Sequence, residues 1–442
     1  MVSRRRSPDA RTLAIRVLRD VQRTGGFSNR VLSEHFGRHP ELSARDRGLA
    51  TTLVYGVLRH RTRLDVHLDA HARDPAGVGG ELREILRVGA YELRELERPP
   101  SIAISEAVKQ ARALDPRGRL AGVVQAVLGA VDRQGAELDA QLEGGSPLDA
   151  LDRRWSIPRW LAGRWIKTLG PELACARARA VAEPPTIDLR LDLDRIDPTT
   201  AVAELRRDHP SIVVTEVPDQ PQALRARSGG DLFTGPLHAA GLLSIQGLAA
   251  QQPARVLAPQ AGERVLDACA GMGVKTLQLA ELMHRRGTIV AADADADALA
   301  EVTELSDRGR LDTPELELLT VVGDLARPDP TLDRLPFDAV LLDAPCTGLG
   351  NLARHPELRW VRRFDDIAAR AELQDALLAQ AVSRVRPGGR LVYAVCSAEP
   401  EEGPDRVRAL ETGGRLELTH ERTWTPERDQ TEGFYVARLD VR

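Results

Sequence analysis

The chain has 442 residues, 42% hydrophobic and 29% charged, which suits a folded protein of two or three domains and excludes a disordered or low-complexity one. No apolar run reaches the ~20 residues of a bilayer-spanning helix, and the opening Met1-Val-Ser-Arg-Arg-Arg6 lacks the apolar stretch of a signal peptide, so a cytoplasmic protein without membrane contact is expected. A net charge of −4 excludes a basic chain overall, so any nucleic acid must be met by local patches.

Residues 8–133 read as all helix. Apolar positions recur at helical spacing in Leu13–Leu18, Leu49–Leu58 and Leu82–Tyr91. Pro99-Pro100 breaks the pattern, and Ser101–Leu114 and Leu120–Val131 resume it. No strand alternation intervenes, so residues 1–140 are expected to form a helical bundle. Residues 134–150 are polar and carry Gly144-Gly-Ser-Pro147, the composition of a linker. Trp155, Trp160 and Trp165 follow. Tryptophans more often supply packing area than base-stacking platforms, so a helix that docks the next domain is expected here.

Within 141–240 the strands Ile187–Leu191 and Ile212–Val217 flank a helix at Pro198–Arg207, a small α/β subdomain. From Gly262, near-continuous apolar strands alternate with helices. They fall at Arg264–Cys269, Thr288–Asp293, Leu316–Val322, Asp338–Leu342 and Leu391–Ala394, the mark of a parallel sheet covered on both faces. Gly433–Val441 is expected as a last, antiparallel strand at the sheet edge.

The first strand of that sheet runs into Asp267-Ala-Cys269-Ala270-Gly271-Met272-Gly273-Val274-Lys275-Thr276. Glycines let backbone approach a ligand closely, and the N-terminus of the following helix offers free N–H groups. Asp293 ends the next strand, 20 residues after Gly273, where a carboxylate can accept ribose hydroxyls. Asp324 follows the third strand, where a carboxylate reaches a nucleobase amine. Acidic strand ends in series favour a nucleoside-bearing cofactor. Only three of 61 basic residues are lysine, so Lys275 in this loop suggests a place where a compact ammonium is needed to pair with a carboxylate.

The four cysteines are too scattered for a disulfide framework, and no Cys-x-x-Cys spacing offers a metal site. Cys175 reads as structural and Cys269 as small packing near the cofactor. The other two follow the last two parallel strands, in Asp343-Ala-Pro-Cys346-Thr-Gly-Leu-Gly350 and Val395-Cys396-Ser397. Ligands of a doubly wound sheet collect at the C-terminal strand ends, so neighbouring strands would face both sulfurs into one cleft. A thiolate added to carbon-6 of a cytosine makes carbon-5 a nucleophile that can accept a methyl group. Asp343 is placed to hydrogen-bond N3 and the exocyclic amine. The base must be unpaired for its ring faces to be open. The residues alone do not choose between the two sulfurs. The stretch Gly350–Arg363 carries Arg354, His355, Arg359, Trp360, Arg362 and Arg363, candidates for phosphate or base contacts. Arg354 is preferred as nearest Cys346.

These motifs resemble the NOL/NOP/Sun family of RNA cytosine-C5 methyltransferases, and within it the bacterial Sun/Fmu (RsmB-type) subgroup that acts on 16S ribosomal RNA. Asp343–Gly350, Arg354-His-Pro-Glu357 with Trp360, Leu391–Ser397 with Pro400-Glu-Glu402, and Gly433-Phe-Tyr435 carry the likeness. Arg45-Asp-Arg47, Tyr55–Arg59 and Gly89-Ala-Tyr91 look like that subgroup's NusB-like helical domain. The resemblance implies a NusB-like RNA-binding bundle over 1–140, a linker and small α/β subdomain over 141–240, and a Rossmann-like methyltransferase domain over 241–442. It implies S-adenosylmethionine as donor, with Cys269, Ala270, Gly271, Met272, Gly273, Val274, Lys275, Asp293, Asp324 and Asp343 around it. It makes Cys396 the nucleophile and Cys346 the residue that assists release, with Asp343 and Lys275 beside them. RNA is the expected partner, and a monomer without metal is expected. The chain departs from the family pattern at Gly271-Met-Gly-Val-Lys275, where the family reads Ala-Pro-Gly-Gly-Lys, and at Val395, Gln125, Gly129 and Asp192. The altered loop keeps two alternatives in view: an RNA-binding scaffold with weakened catalysis, and methylation of another RNA.

Overall fold

The computed structural model describes residues 8–442, apart from 228–231, 233, 234, 310, 312, 335 and 411–414. The basic start Met1–Arg6 therefore lies outside the described residues. The chain forms two compact units: Met1–Pro184 with Leu352–Arg362, and Pro185–Asn351 with Arg363–Arg442.

The first unit is helical, with helices at Ala10–Thr24, Ser28–Arg38, Ala44–Arg59, Arg61–His71, Gly80–Arg94, Pro100–Leu114 and Arg119–Leu142. Local chemistry sets several starts. Asp9 accepts the Thr12 N–H at 2.8 Å and Ser43 the Asp46 N–H at 3.1 Å, and Pro100 opens its helix where no N–H is needed. One face of each helix enters a common core through Leu13, Leu53, Leu86 and Leu128. Gly56 is required there, since a Cβ would sit 1.9 Å from the Tyr91 ring.

The expected linker is mostly helix. The helix Arg119–Leu142 runs through its first half because its polar face is tied down rather than solvated. Asp139 accepts from Arg63 at 2.9 Å, His67 at 3.0 Å and Arg94 at 2.5 Å. Burial alone would raise that carboxyl, but the His67 and Arg94 hydrogen bonds and the Arg63 charge hold it well below the usual range. The tryptophan helices, Arg159–Leu169 and Pro171–Ala182, also belong to this unit, and Trp165 is buried.

Leu352–Arg362 returns to this unit and is anchored in it. Ser28 donates its N–H and hydroxyl to Glu357 at 3.0 and 2.8 Å. Trp360 Nε1 donates to Leu58 O at 2.8 Å, and Arg59 to Ala353 O at 2.8 Å. Arg359 is buried and donates to the carbonyls of Arg59 (2.7 Å), Trp155 (3.2 Å) and Val181 (2.7 Å). Burial, then the Arg59 charge, lowers its guanidinium to about 9. Arg359 was a candidate RNA contact; it is instead a bolt between backbone segments. We predict that Arg359→Met destabilises the chain by roughly 3 kcal/mol, since buried acceptors lose their donor. An unchanged unfolding midpoint in urea would contradict that assignment.

The second unit holds two sheets. The smaller is antiparallel, with β1 (Ile187–Leu191), β2 (Val213–Val217), β3 (Gln220–Arg227) and β4 (Leu243–Ile245) in the order β2-β3-β1-β4. Strands β3 and β4 escape sequence reading, because β3 carries Pro221 and alternating charge and β4 is three residues long. The larger sheet comprises β5 (Arg264–Ala268), β6 (Gly287–Asp293), β7 (Leu316–Val322), β8 (Phe337–Asp343), β9 (Val385–Val395), β10 (Leu416–Trp424) and β11 (Phe434–Val441). Its order is β10-β11-β9-β8-β5-β6-β7, parallel from β9 to β7 and antiparallel beyond. The terminal strand β11 is antiparallel as expected but is not the edge. The polar strand β10 covers it. The order reverses between β5 and β8, so their C-terminal ends border the crevice where such sheets bind ligands. No helix among the described residues is long and apolar enough to cross a membrane.

Candidate active site

Beyond β5 the chain turns sharply. Cys269, Gly271 and Gly273 take φ of 62°, 53° and 82°, and the helix Val274–Leu282 then begins. The turn is pinned from β6: Ala270 N donates to Ala292 O at 3.0 Å and Gly271 N to Asp293 Oδ2 at 2.8 Å. The other Asp293 oxygen accepts the Asp295 N–H at 2.9 Å. Asp293 thus braces the loop while keeping lone pairs for a ligand. An added Cβ at Gly271 would meet nothing within 4 Å, so the turn faces open space. Met272 is exposed and Val274 is an ordinary first helical residue, so neither departure from the family pattern closes the loop. Asp324 follows β7 and is exposed, bonded to Arg327 at 3.0 Å and to the Ala326 N–H at 3.1 Å. This open glycine turn at a helix start, braced by a carboxylate, fits a nucleoside-bearing cofactor.

Asp267 lies beneath the loop, fully buried. It accepts the Thr276 hydroxyl at 2.6 Å, while its Oδ1 has no partner. Burial raises this carboxyl to about 7, against the Thr276 hydrogen bond and the Lys275 charge. The ordinary carboxylate value is near ~4. A raised value means the folded state favours the protonated form. That stabilisation is complete below about pH 4 and is lost as pH rises through about 7. We predict that Asp267→Asn flattens the urea-midpoint profile between about pH 4 and 7; a profile parallel to the wild type's would rule the group out.

The thiols are placed by the β8–β9 ladder. Asp343 pairs with Ala394 in parallel register, so Cys346 and Cys396 leave adjacent strands just past the same rung. Ala344 N donates to Ala394 O at 2.9 Å, Gly350 N to Cys396 O at 3.1 Å and Gly433 N to Gly350 O at 2.9 Å, which closes the three segments on one another. Only glycine suits position 350, since a Cβ would lie 1.8 Å from Gly433 O. The two sulfurs stand 3.1 Å apart and share a hydrogen bond; both cysteines are free. That bond, then burial, pushes the Cys346 thiol well up. Lys275 Nζ meets Asp343 Oδ2 at 2.5 Å and lies 5.8 Å from the Phe434 ring centre. Burial alone would lower the Lys275 ammonium, but the Asp343 charge and hydrogen bond raise it, so it stays a cation.

The structure therefore brings Cys346, Cys396, Asp343 and Lys275 together at the C-terminal sheet edge, beside the loop Cys269–Val274. Arg354 belongs to the segment Leu352–Arg362, which is part of the helical unit. Sequence reading missed a role for Glu402. It is buried and accepts the Thr347 N–H at 2.7 Å, the Thr347 hydroxyl at 2.5 Å and the Ser397 hydroxyl at 2.7 Å. The available signal was two consecutive glutamates, Glu401-Glu402, just after the Cys396 motif. Among the described residues, no group of His, Cys, Asp and Glu is arranged to hold a metal ion.

Comparison with known proteins agrees with this geometry. Residues 254–440 match the family model described as 16S rRNA methyltransferase RsmB/F, and residues 8–133 match the NusB family. The ribosomal RNA small subunit methyltransferase B of Vibrio cholerae is 34% identical, over 90% of this chain and 90% of that protein. The enzyme of the same name from Shewanella oneidensis is 32% identical, over 97% of this chain and 98% of its own. The crystal structure of PH0851 superposes with a TM-score of 0.78 at 25% identity, over 98% of this chain and 99% of that one. Near-full-length coverage at this identity joins the helical and thiol-bearing parts in one assignment: the chain belongs to the 16S rRNA methyltransferase RsmB/F family.

Proposed function

We propose that this protein is an S-adenosylmethionine-dependent RNA cytosine-C5 methyltransferase that acts on 16S ribosomal RNA through a covalent Cys396–cytosine adduct. The observation that carries this reading is the pair of sulfurs 3.1 Å apart at adjacent strand ends, next to the Lys275–Asp343 pair. A single thiol would serve packing equally well; two at matched positions beside a cofactor loop answer a chemistry with both an attack and a release.

Bound at Cys269–Lys275 with Asp293, Asp324 and Asp343, S-adenosylmethionine would supply an electrophilic methyl group. The protein does the rest. The Cys396 thiolate forms a bond to carbon-6 of the cytosine, and the ring electrons move to carbon-5. Asp343 accepts a hydrogen bond from the amino group, and the Lys275–Asp343 pair supplies the proton that neutralises the charge building at N3. Once carbon-5 carries the methyl group, its proton passes to solvent water, the C–H electrons re-form the carbon-5–carbon-6 double bond, the sulfur–carbon-6 bond breaks, and Cys396 departs as thiolate. Cys346 serves that release. The same reading makes Arg354 an RNA contact and the enzyme a cytoplasmic monomer without metal.

The test is bisulfite sequencing of 16S ribosomal RNA from cells with and without the gene. One cytosine that loses protection without the gene supports the proposal. Identical profiles would overturn it and leave the scaffold reading, with the altered glycine loop as its first explanation.

A further inference from the structure

Glu402 takes no part in the chemistry above, yet both thiol loops end on it. It sits in the turn Pro400–Glu402, and its side chain is fully buried. Thr347, which donates to it twice, directly follows Cys346; Ser397, which donates once, directly follows Cys396. The residue before Cys346 is held as well: Gln374 Nε2 donates to Pro345 O at 3.0 Å and approaches Glu402 Oε1 at 3.5 Å. Tyr393, on β9, donates its hydroxyl to the Glu402 carbonyl at 2.5 Å. Burial raises the Glu402 carboxyl, and the hydrogen bonds from Thr347 and Ser397 work against that rise.

We propose that Glu402 is the positioning residue of the thiol pair: it ties the loop after Cys346 to the loop after Cys396, sets the spacing of the two sulfurs and makes them unequal. This rests on the two-thiol reading above. The inequality comes from charge. After the Cys396 hydrogen bond, burial and the Cys396 charge, Glu402 is a smaller further cause that keeps the Cys346 proton in place. A protonated Cys346 is a poor nucleophile and is not the sulfur that attacks. The other titratable groups around the pocket are Glu399 on the same turn, Tyr393 and Tyr435 from the sheet, and Arg406 from the helix Pro404–Leu410. Arg406 is paired with Asp375 of the helix Asp365–Arg384 at 2.5 Å.

The experiment follows iodoacetamide alkylation of each thiol from pH 6 to 10 on the full-length protein, resolved by peptide mass spectrometry. In the wild type, Cys346 reacts only toward the alkaline end of that range. Glu402→Gln is isosteric and neutral, and the two hydroxyls can turn to accept from its amide. In that variant the Cys346 midpoint falls by about one pH unit, and kcat for RNA methylation falls about tenfold with KM unchanged. Glu402→Asp, which keeps the charge, restores the Cys346 profile. A superimposable Cys346 profile in Glu402→Gln overturns the proposal. If that variant does not fold, Ser397→Ala severs the Cys396 arm alone, and unchanged kcat there overturns it. Alkylation needs no RNA, so failure of the methyltransferase reading shows as an inactive wild type, separately from the thiol profile.

Discussion

Cys396→Ser is expected to abolish methyl transfer to 16S ribosomal RNA, with a loss in kcat of at least ~10³-fold, or about 4 kcal/mol in the barrier. A serine hydroxyl does not ionise near neutral pH, and without an anionic sulfur carbon-6 is not attacked and carbon-5 does not become nucleophilic. The fold should tolerate the change. Cys396 lies just beyond β9, its carbonyl still accepts the Gly350 N–H at 3.1 Å, and its neighbours on the strand are untouched. Transfer of labelled methyl to 16S ribosomal RNA measures the effect, with binding of S-adenosylhomocysteine as the control for an intact loop. Full activity in this variant would remove Cys396 as the nucleophile.

Cys346→Ser is expected to do something different: to retain attack and lose release. The enzyme should accumulate as a covalent RNA complex that survives denaturing electrophoresis, with multiple turnover down by roughly 10²-fold, or about 3 kcal/mol. The reason is geometric. Cys346 stands 3.1 Å from the sulfur that must leave, and burial with the shared hydrogen bond keeps it a thiol. The double variant should form no complex, since the bond to RNA belongs to Cys396. Normal turnover without a trapped species would end the release role. The two single variants together also decide between the sulfurs, a choice the residue pattern alone leaves open.

Some of this site was legible before any coordinates. Strands β5, β6, β8 and β9 are buried on both faces, so they read as unbroken apolar runs. The glycine turn announces itself because backbone with φ of 53° and 82° at Gly271 and Gly273 suits glycine. Lys275 stood out by its rarity, and its partner proved to be Asp343 at 2.5 Å. What escaped was polar or short. Strand β10 alternates polar residues at an edge, and the tail of the helix Arg119–Leu142 looked like linker because its charges were read as solvated. Arg359 reads as an RNA contact in a string and as a backbone bolt once three carbonyls surround it.

The sequence by itself determined the two classes of architecture, the cofactor turn, and the presence of two thiols after parallel strands. Those features depend on short-range rules: helical periodicity, strand burial, and glycine's tolerance of left-handed backbone. Only the tertiary structure decided that the sulfurs stand 3.1 Å apart, that Leu352–Arg362 belongs with the helical unit, and that Glu402 ties both thiol loops. These are contacts between residues distant in the chain, made by polar groups whose partners carry no period in the sequence. A buried carboxylate and a solvated one are written with the same letter, and only the donors that fold around it tell them apart.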